Sequence, residues 1–297
     1  KLLDLYTGIK SRYISLYRIK PNLYFMKYLL NLICLLMMAC SNGNDDNEND
    51  KSVIPPQGFT VTIMSYNIYG ARATDPSNTA DLNALAAVIN QQSPDFVLLQ
   101  EVDVYTNRTG KDVHQAKDLA QLTHMNWHFT KAIDRDGGAY GDAVLSKYEI
   151  IEKKNYHMSV APTLTGENRS VCMIKVKVKD IDLYVASTHL DHLASEDSRI
   201  FQAEQLKDIV KGIDGRLVVG GDFNATPESK TISIVKQFLN TGYKSEKLYT
   251  WSVDNPNKMI DYVMYKPLDG FIQRNYMVVK NTKASDHMPV ISVLEFK

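Results

Sequence analysis

Short apolar runs that end abruptly in polar residues recur along this chain, and they mark out its elements. Residues 59–66 (FTVTIMSY) are rich in β-formers and read as a first strand, ending at Asn67-Ile68 ahead of Tyr69-Gly70. Leu82, Leu85, Ala86, Val88 and Ile89 recur at helical spacing behind Asp81, and Pro94-Asp95 closes that helix. Residues 96–99 (FVLL) form a second buried strand that runs straight into Gln100-Glu101-Val102-Asp103. Beyond a polar loop at 105–110, residues 114–124 read as a helix and 127–129 as a strand. Residues 134–140, with Gly137-Gly138, read as a flexible loop of the kind that lines sites.

The second half repeats the pattern. Residues 141–146 and 150–158 predict two strands joined by a short turn, and 170–178 with 181–187 a hairpin with Lys179-Asp180 at its tip. Ile200, Ala203, Leu206, Ile209 and Val210 mark an amphipathic helix. The strand Leu217-Val218-Val219 then ends in Gly220-Gly221-Asp222-Phe223-Asn224, and Pro227 opens a helix over 228–239. Residues 259–265 read as a strand with Asp261 in its middle, and Ser285-Asp286-His287-Met288-Pro289 leads into a last strand at 290–296. Residues 58–297 are expected to fold as one large α/β domain.

The polar ends of these runs are the candidate chemistry. A carboxylate at the end of an apolar strand is unfavourable unless something positive meets it, which makes Glu101 a candidate metal ligand. Asp222 and Asn224 stand two apart, and on extended backbone two such side chains point the same way and address one bound group. Asp261 inside a strand needs a partner, and a histidine is the obvious one. Of the 7 histidines, His189 ends a strongly apolar run (LYVAS) with a polar cluster, Thr188-His189-Leu190-Asp191. Each residue has a plainer reading: a turn or cap for Asn67, Asp222 and Asn224, a satisfied core histidine for His189, a loop for Asp286-His287, a solvated cation for Arg108. What weighs against five coincidences is their shared form, because converging strand ends are how α/β folds build sites.

The N-terminus carries a different signal. Residues 28–39 (YLLNLICLLMMA) are apolar but number only 12, against the roughly 20 needed to span a bilayer as a helix. Lys20 and Lys27 precede them and Ala39-Cys40-Ser41 follows, the pattern of a secretory signal. Met26-Lys27 starts a signal of normal length, so residues 1–25 are expected to be upstream sequence. Ala39-Cys40 resembles the lipobox of bacterial lipoproteins, with Met37 where a branched residue is usual. The acidic stretch SNGNDDNENDKS resembles the surface-export tether of Bacteroidetes lipoproteins, and residues 40–57 hold no core-forming pattern. The expected location is the outer membrane, with Cys40 as lipid anchor and the domain outside the cell; a periplasmic or secreted protein is the alternative. Cys172 alone falls within the domain, which excludes a disulfide framework.

Charge narrows the partners. Of 34 basic and 34 acidic residues, six and one fall before Cys40, and the tether takes one and four more, leaving 27 against 29. Such a near-neutral domain lacks the broad basic footprint of a protein that grips nucleic acid by its phosphates. Nothing in the sequence calls for an obligate protein partner.

The motifs SYNI, LQEV, GDAVLS, THLD, GDFNATP, IDYV and SDHMPV stand in the order seen in the endonuclease/exonuclease/phosphatase superfamily, which residues 59–297 resemble throughout. The resemblance implies a four-layer α/β sandwich, two packed mixed β-sheets flanked by helices, and hydrolysis of phosphate esters. It further implies Mg²⁺, with Mn²⁺ as alternative, on Glu101 and Asn67, and Asp286 at a second metal position. By the same resemblance His287, oriented by Asp261, is the general base on water or holds the phosphate. Asp222 positions or activates the nucleophile. Asn224 and His189 bind non-bridging oxygens, with His189 a candidate proton donor to the leaving group. Apart from the resemblance, Arg108 is a candidate phosphate contact by its place in the polar loop at 105–110. His189, where AP endonucleases carry Asn, is similar to the deoxyribonuclease, sphingomyelinase and phosphatase branches. A sphingomyelinase-like phosphodiesterase is the leading expectation, with a secreted nuclease or a phosphatase as alternatives, and a surface lipoprotein that binds without catalysis behind these.

Overall fold

Each of two sheets is built around one parallel strand pair, and those pairs aim their C-terminal ends at the same rim. The structure is a computed structural model and describes residues 58–72, 80–244, 248–267, 270–280 and 282–296. The signal region, Cys40 and the acidic tether lie outside the described residues. In the first sheet β1 (Thr60–Asn67) runs parallel to β2 (Phe96–Val104). Around them lie β3 (Asn126–Arg135), β4 (Gly138–Ser146), β10 (Phe271–Val278) and β11 (Val290–Phe296), in the order β10-β11-β1-β2-β4-β3. In the second, β7 (Ile181–His189) runs parallel to β8 (Arg216–Asp222). The order there is β5-β6-β7-β8-β9, with β5 at Ile150–Met158, β6 at Arg169–Val178 and β9 at Asp261–Tyr265.

Three apolar layers hold these sheets. Between them pack Val61, Ile63, Phe96 and Leu98 of the first against Ile174, Val185, Val218 and Val263 of the second. Helices α1 (Leu82–Gln92) and α2 (Gln115–Thr123) cover the outer face of the first sheet, over Met64, Val97, Leu99 and Leu145. Helices α3 (Asp197–Lys211) and α4 (Lys230–Val235) cover the outer face of the second, over Met173, Ala186, Leu217 and Val219. This is the four-layer sandwich. It explains why FVLL and LVV are continuous apolar runs, since strands covered on both faces have no polar side. Each such buried side chain contributes roughly 1.5–3 kcal/mol of transfer free energy.

Several boundaries differ from the sequence reading, each for a local reason. Residues 134–140 are not a loop: β3 and β4 form a tight hairpin whose turn, Asp136 (φ 49°) and Gly137 (φ 79°), is the mirror-type turn that matches strand twist. The short turn after β4 carries the chain from one sheet into the other, so residues 141–146 and 150–158 are not sheet neighbours. Helix α4 starts at Lys230, because Ser229 caps it through Ile232 N, and it ends at Val235. Asp261 is the first residue of β9 and not its middle. Edge strand β10 has a broken alternation with a register shift at Gln273/Asn275, which left it without a periodic signal. Among the described residues no helix is long and apolar enough to cross a membrane.

Candidate active site

The rim where the two parallel pairs end gathers the polar residues. Asn67, the last residue of β1, is fully buried. Its Nδ2 donates to Glu101 Oε1 at 3.1 Å and to Asp222 Oδ2 at 3.0 Å, while its Oδ1 accepts from Tyr69 N at 3.0 Å. The residue expected to offer an oxygen to a metal therefore presents its amide nitrogen and holds two carboxylates from different sheets together.

Glu101 reaches that rim through a bulge. The β2–β4 register shifts between Leu99 and Val102, and Glu101 takes a left-handed φ of 57°. The strand continues to Val104, so Glu101 lies within it and not at its end, and the extra residue re-aims the carboxylate. Across the rim, Gly220 and Gly221 let β8 pass close to its neighbours. A Cβ on Gly220 would stand 2.5 Å from Leu98 Cδ1 and 3.2 Å from Ser65 Cβ, and one on Gly221 would collide with the Thr188 carbonyl oxygen. Asp222 and Asn224 do converge, but not on extended backbone. Asn224 has φ 47°, and its N–H donates to Asp222 Oδ1 at 2.8 Å, so a side-chain-capped turn aims both.

His287 is held by its own carboxylate. Its Nδ1 lies 2.9 Å from Asp261 Oδ2, and its Nε2 3.7 Å from Asp222 Oδ2. Ser285 fixes this loop to β1, donating to Asn67 O at 2.7 Å and accepting from His287 N at 3.2 Å. Burial alone would lower the His287 pKa, but the Asp261 and Asp222 carboxylates outweigh it and push it up to about 10. Both carboxylates favour the protonated ring. Asp222, by burial and then by the charge of Asp261, is raised to about 7, against the opposing pull of His287 and the Asn224 and Asn67 hydrogen bonds. That suits a group that takes a proton near neutral pH.

Sequence reasoning missed Arg169, the largest of the fully buried side chains, 2% exposed. Its Nη1 lies 3.2 Å from His189 Nδ1, and its Nη2 3.2 Å from both His192 Nδ1 and Glu167 Oε2. Glu167 also pairs with Arg135 at 3.3 Å, whose guanidinium lies over the Tyr140 ring at 4.4 Å. The signal for Arg169 was in the sequence: a hairpin closing at Lys179-Asp180 pairs Val171 with Thr188, which sets Arg169 beside the His189 end. Burial, then the charge of Arg169, holds His189 well below the usual histidine range.

Glu101, Arg169, His189, Asp222, Asn224, Asp286 and His287 line one pocket of about 360 Å³, with Tyr69, Arg135, Trp251 and Lys258 also in its lining. Arg108 is not part of that lining. It makes a two-point ion pair with buried Asp103, at 2.7 and 2.9 Å, so the expected phosphate contact is a structural pair beside the Tyr69-Gly70 turn.

Donor chemistry decides where a metal fits. Asp222, Asp261 and His287 bring ligand atoms within 4.8 Å of one another, but Asp261 already engages His287 Nδ1. Glu101 and Asp286 both line the pocket, and among the described residues neither pairs with Lys or Arg; Glu101 accepts from Asn67 and Asp286 from Trp251 Nε1 at 3.3 Å. Two such carboxylates fit a hard, oxygen-seeking divalent cation.

Residues 64–287 match the sequence model of the Endonuclease/Exonuclease/phosphatase family. The chain belongs to this family. Its hydrolases act on phosphate esters and are metal-dependent. Among curated proteins, the chain is 25% identical over 213 residues to a 5'-tyrosyl-DNA phosphodiesterase of Caenorhabditis briggsae, covering 68% of this chain and 56% of that protein. The chain spans about half the length of the curated relatives it matches. Among solved structures, an endonuclease/exonuclease/phosphatase from Beutenbergia cavernae DSM 12333 aligns with TM-score 0.67 and 22% identity, over 80% of this chain and 72% of that one. A family protein from Bacteroides thetaiotaomicron aligns with TM-score 0.66 and 18% identity, over 81% and 99%. Both share the fold of this family member.

Proposed function

We propose that this protein is a Mg²⁺-dependent phosphodiesterase that acts outside the cell on a small or lipid-linked phosphodiester, with Mn²⁺ as the alternative cation. The observation that carries this reading is the convergence of Asn67, Glu101, His189, Asp222, Asp286 and His287 on one rim, three of them the last residues of strands in the two parallel pairs. Asp222 takes the proton of an attacking water whose oxygen bonds to phosphorus as the ester oxygen leaves. His287 and Asn224 hydrogen-bond the non-bridging oxygens, where charge builds in the transition state. Glu101 and Asp286 would hold the cation, which when bound supplies Lewis-acid neutralisation of that charge.

Two observations support a small diester over duplex nucleic acid. The pocket is about 360 Å³ and lined mainly by polar groups. The domain is near neutral, without a broad basic footprint. The relative from C. briggsae, named as a 5'-tyrosyl-DNA phosphodiesterase, supports diester chemistry without favouring the small substrate. Cys40 and the acidic tether support export and attachment to the outer membrane, which puts the substrate on the outside.

The test is hydrolysis with Mg²⁺ and then with EDTA, on bis-p-nitrophenyl phosphate, p-nitrophenyl phosphate, sphingomyelin and plasmid DNA. Metal-dependent turnover of the lipid or small diester with plasmid intact supports the proposal. Plasmid cleavage would move it to nuclease, release from the monoester alone to phosphatase, and silence on all four to a binding protein.

A further inference from the structure

Two aromatic side chains line the candidate active site, Tyr69 beside Asn67 and Trp251 beside Asp286 and His287. Both are half-buried, yet among the described residues neither belongs to the three apolar layers nor stacks on another aromatic ring. Rings set on a polar wall, outside every core, are surface that a ligand can cover.

Each ring is fixed from behind. Tyr69 opens a turn in which it, Gly70 and Ala71 are all left-handed, with φ of 51°, 63° and 60°. Such backbone costs free energy in a non-glycine residue and persists only where its contacts over-determine it. Here Tyr69 N donates to Asn67 Oδ1 at 3.0 Å, Ala71 N to Ile68 O at 2.8 Å, and Gln115 Nε2 to Gly70 O at 2.6 Å. The Arg72 guanidinium lies 4.2 Å from the Tyr69 ring centroid. Trp251 exchanges backbone hydrogen bonds with Lys258 at 3.0 and 2.9 Å, and its Nε1 donates to Asp286 Oδ2 at 3.3 Å. Lys258 Nζ lies 4.9 Å from the Trp251 ring centroid. A cation already seated on one face repels a second one brought to the other, and leaves that face to a flat, uncharged ring.

We propose that Tyr69 and Trp251 form a subsite for a planar ring on the substrate, an aryl group or a nucleobase, which a quaternary-ammonium or saturated substituent fits poorly. The proposal rests on the phosphoesterase reading of this pocket and narrows its small diester to one that carries a flat ring. Both side chains are tied to the groups around the candidate cation, Tyr69 through Asn67 to Glu101 and Trp251 to Asp286. A phosphate held there has its substituent within their reach. They select the ester and take no part in breaking its bond.

Binding is readable without turnover, because a phosphonate has no ester bond to cleave. Titration calorimetry with Mg²⁺ compares methylphosphonate, cyclohexylphosphonate, 2-(trimethylammonio)ethylphosphonate, phenylphosphonate and thymidine 5'-phosphonate. Phenylphosphonate or the thymidine compound is expected to bind about 3- to 10-fold tighter than the first three. Which of the two is tighter tells aryl group from nucleobase. Tyr69→Leu and Trp251→Leu are each expected to bring that ratio below about 2-fold, and Tyr69→Phe, which keeps the ring, to retain it. Trp251→Phe keeps a ring and loses the bond to Asp286, so it is expected to shift all the ligands together. A cyclohexyl or trimethylammonio ligand that binds as tightly as both ring compounds overturns the proposal, as does a ring preference that survives in both leucine variants. The wild-type ranking decides the matter if those variants fail to fold. Equal binding of all the ligands strikes the ring subsite alone. No binding by any of them overturns it too, and hydrolysis assays then tell whether the reading of the site fails with it.

Discussion

Asp222 and Asp261 stand directly opposite each other across the β8–β9 ladder, and His287 engages both, with Nδ1 on Asp261 and Nε2 toward Asp222. Both carboxylates favour the protonated imidazole, and Asp261 in turn favours the protonated form of Asp222. Activity that needs ionised Asp222 rises with pH through about 7, and activity that needs protonated His287 falls as pH rises through about 10. Asp261→Asn removes the charge that opposes burial, so the alkaline limb should move to lower pH and kcat fall about 100-fold or more. A kcat–pH profile of both proteins checks this, and an alkaline limb left in place would contradict the assignment.

The Asn67 amide is the bridge between the Glu101 and Asp222 carboxylates. Asn67→Ala removes a donor from buried Asp222 and from half-buried Glu101, at a stability loss of about 1–3 kcal/mol. A divalent cation that binds the folded state restores stability by mass action, about 2.7 kcal/mol at one hundred times its Kd. Thermal melts with Mg²⁺ and with EDTA should show the cation raising Tm for wild type, and less for Glu101→Gln.

Arg108→Ala is expected to unsettle the fold and spare the site. It strands buried Asp103, whose side chain is 0% exposed, while Arg108 itself is 23% exposed, so a loss of about 3 kcal/mol, the low end for a broken buried pair, is expected. KM should change less than about two-fold, since Arg108 does not line the pocket. A large rise in KM with unchanged Tm would restore it to the site.

The two glycines before Asp222 differ in what opposes a methyl group. Gly220→Ala meets the movable Leu98 side chain and should lose about 1–3 kcal/mol. Gly221→Ala meets the Thr188 backbone carbonyl, which is fixed in the β7–β8 ladder, and should lose more. Denaturant melts of the two variants rank them.

What the sequence disclosed and withheld follows from how far each contact reaches along the chain. The buried strands were legible because apolar runs covered on both faces have no alternative use; Glu101, His189 and Asp222 were legible because they end or follow such runs, and His287 because it leads into one. The bulge at Glu101 was not, because it comes from pairing with β4 about forty residues on. Arg108 misled because its partner, Asp103, sits five residues away in a polar stretch that carries no period. Arg169 was readable from hairpin register but not from composition, since a lone arginine before a strand resembles surface charge. The Asp136-Gly137 turn was a strong hairpin signal hidden by the neighbouring Gly138.

The most direct test of the account is turnover of bis-p-nitrophenyl phosphate by wild type, Glu101→Ala and His287→Ala, each checked for a wild-type melting profile. The account predicts Mg²⁺-dependent turnover by wild type that EDTA abolishes, and a fall of about 100-fold or more in both variants. Wild-type turnover by both folded variants, or turnover indifferent to EDTA, would contradict it.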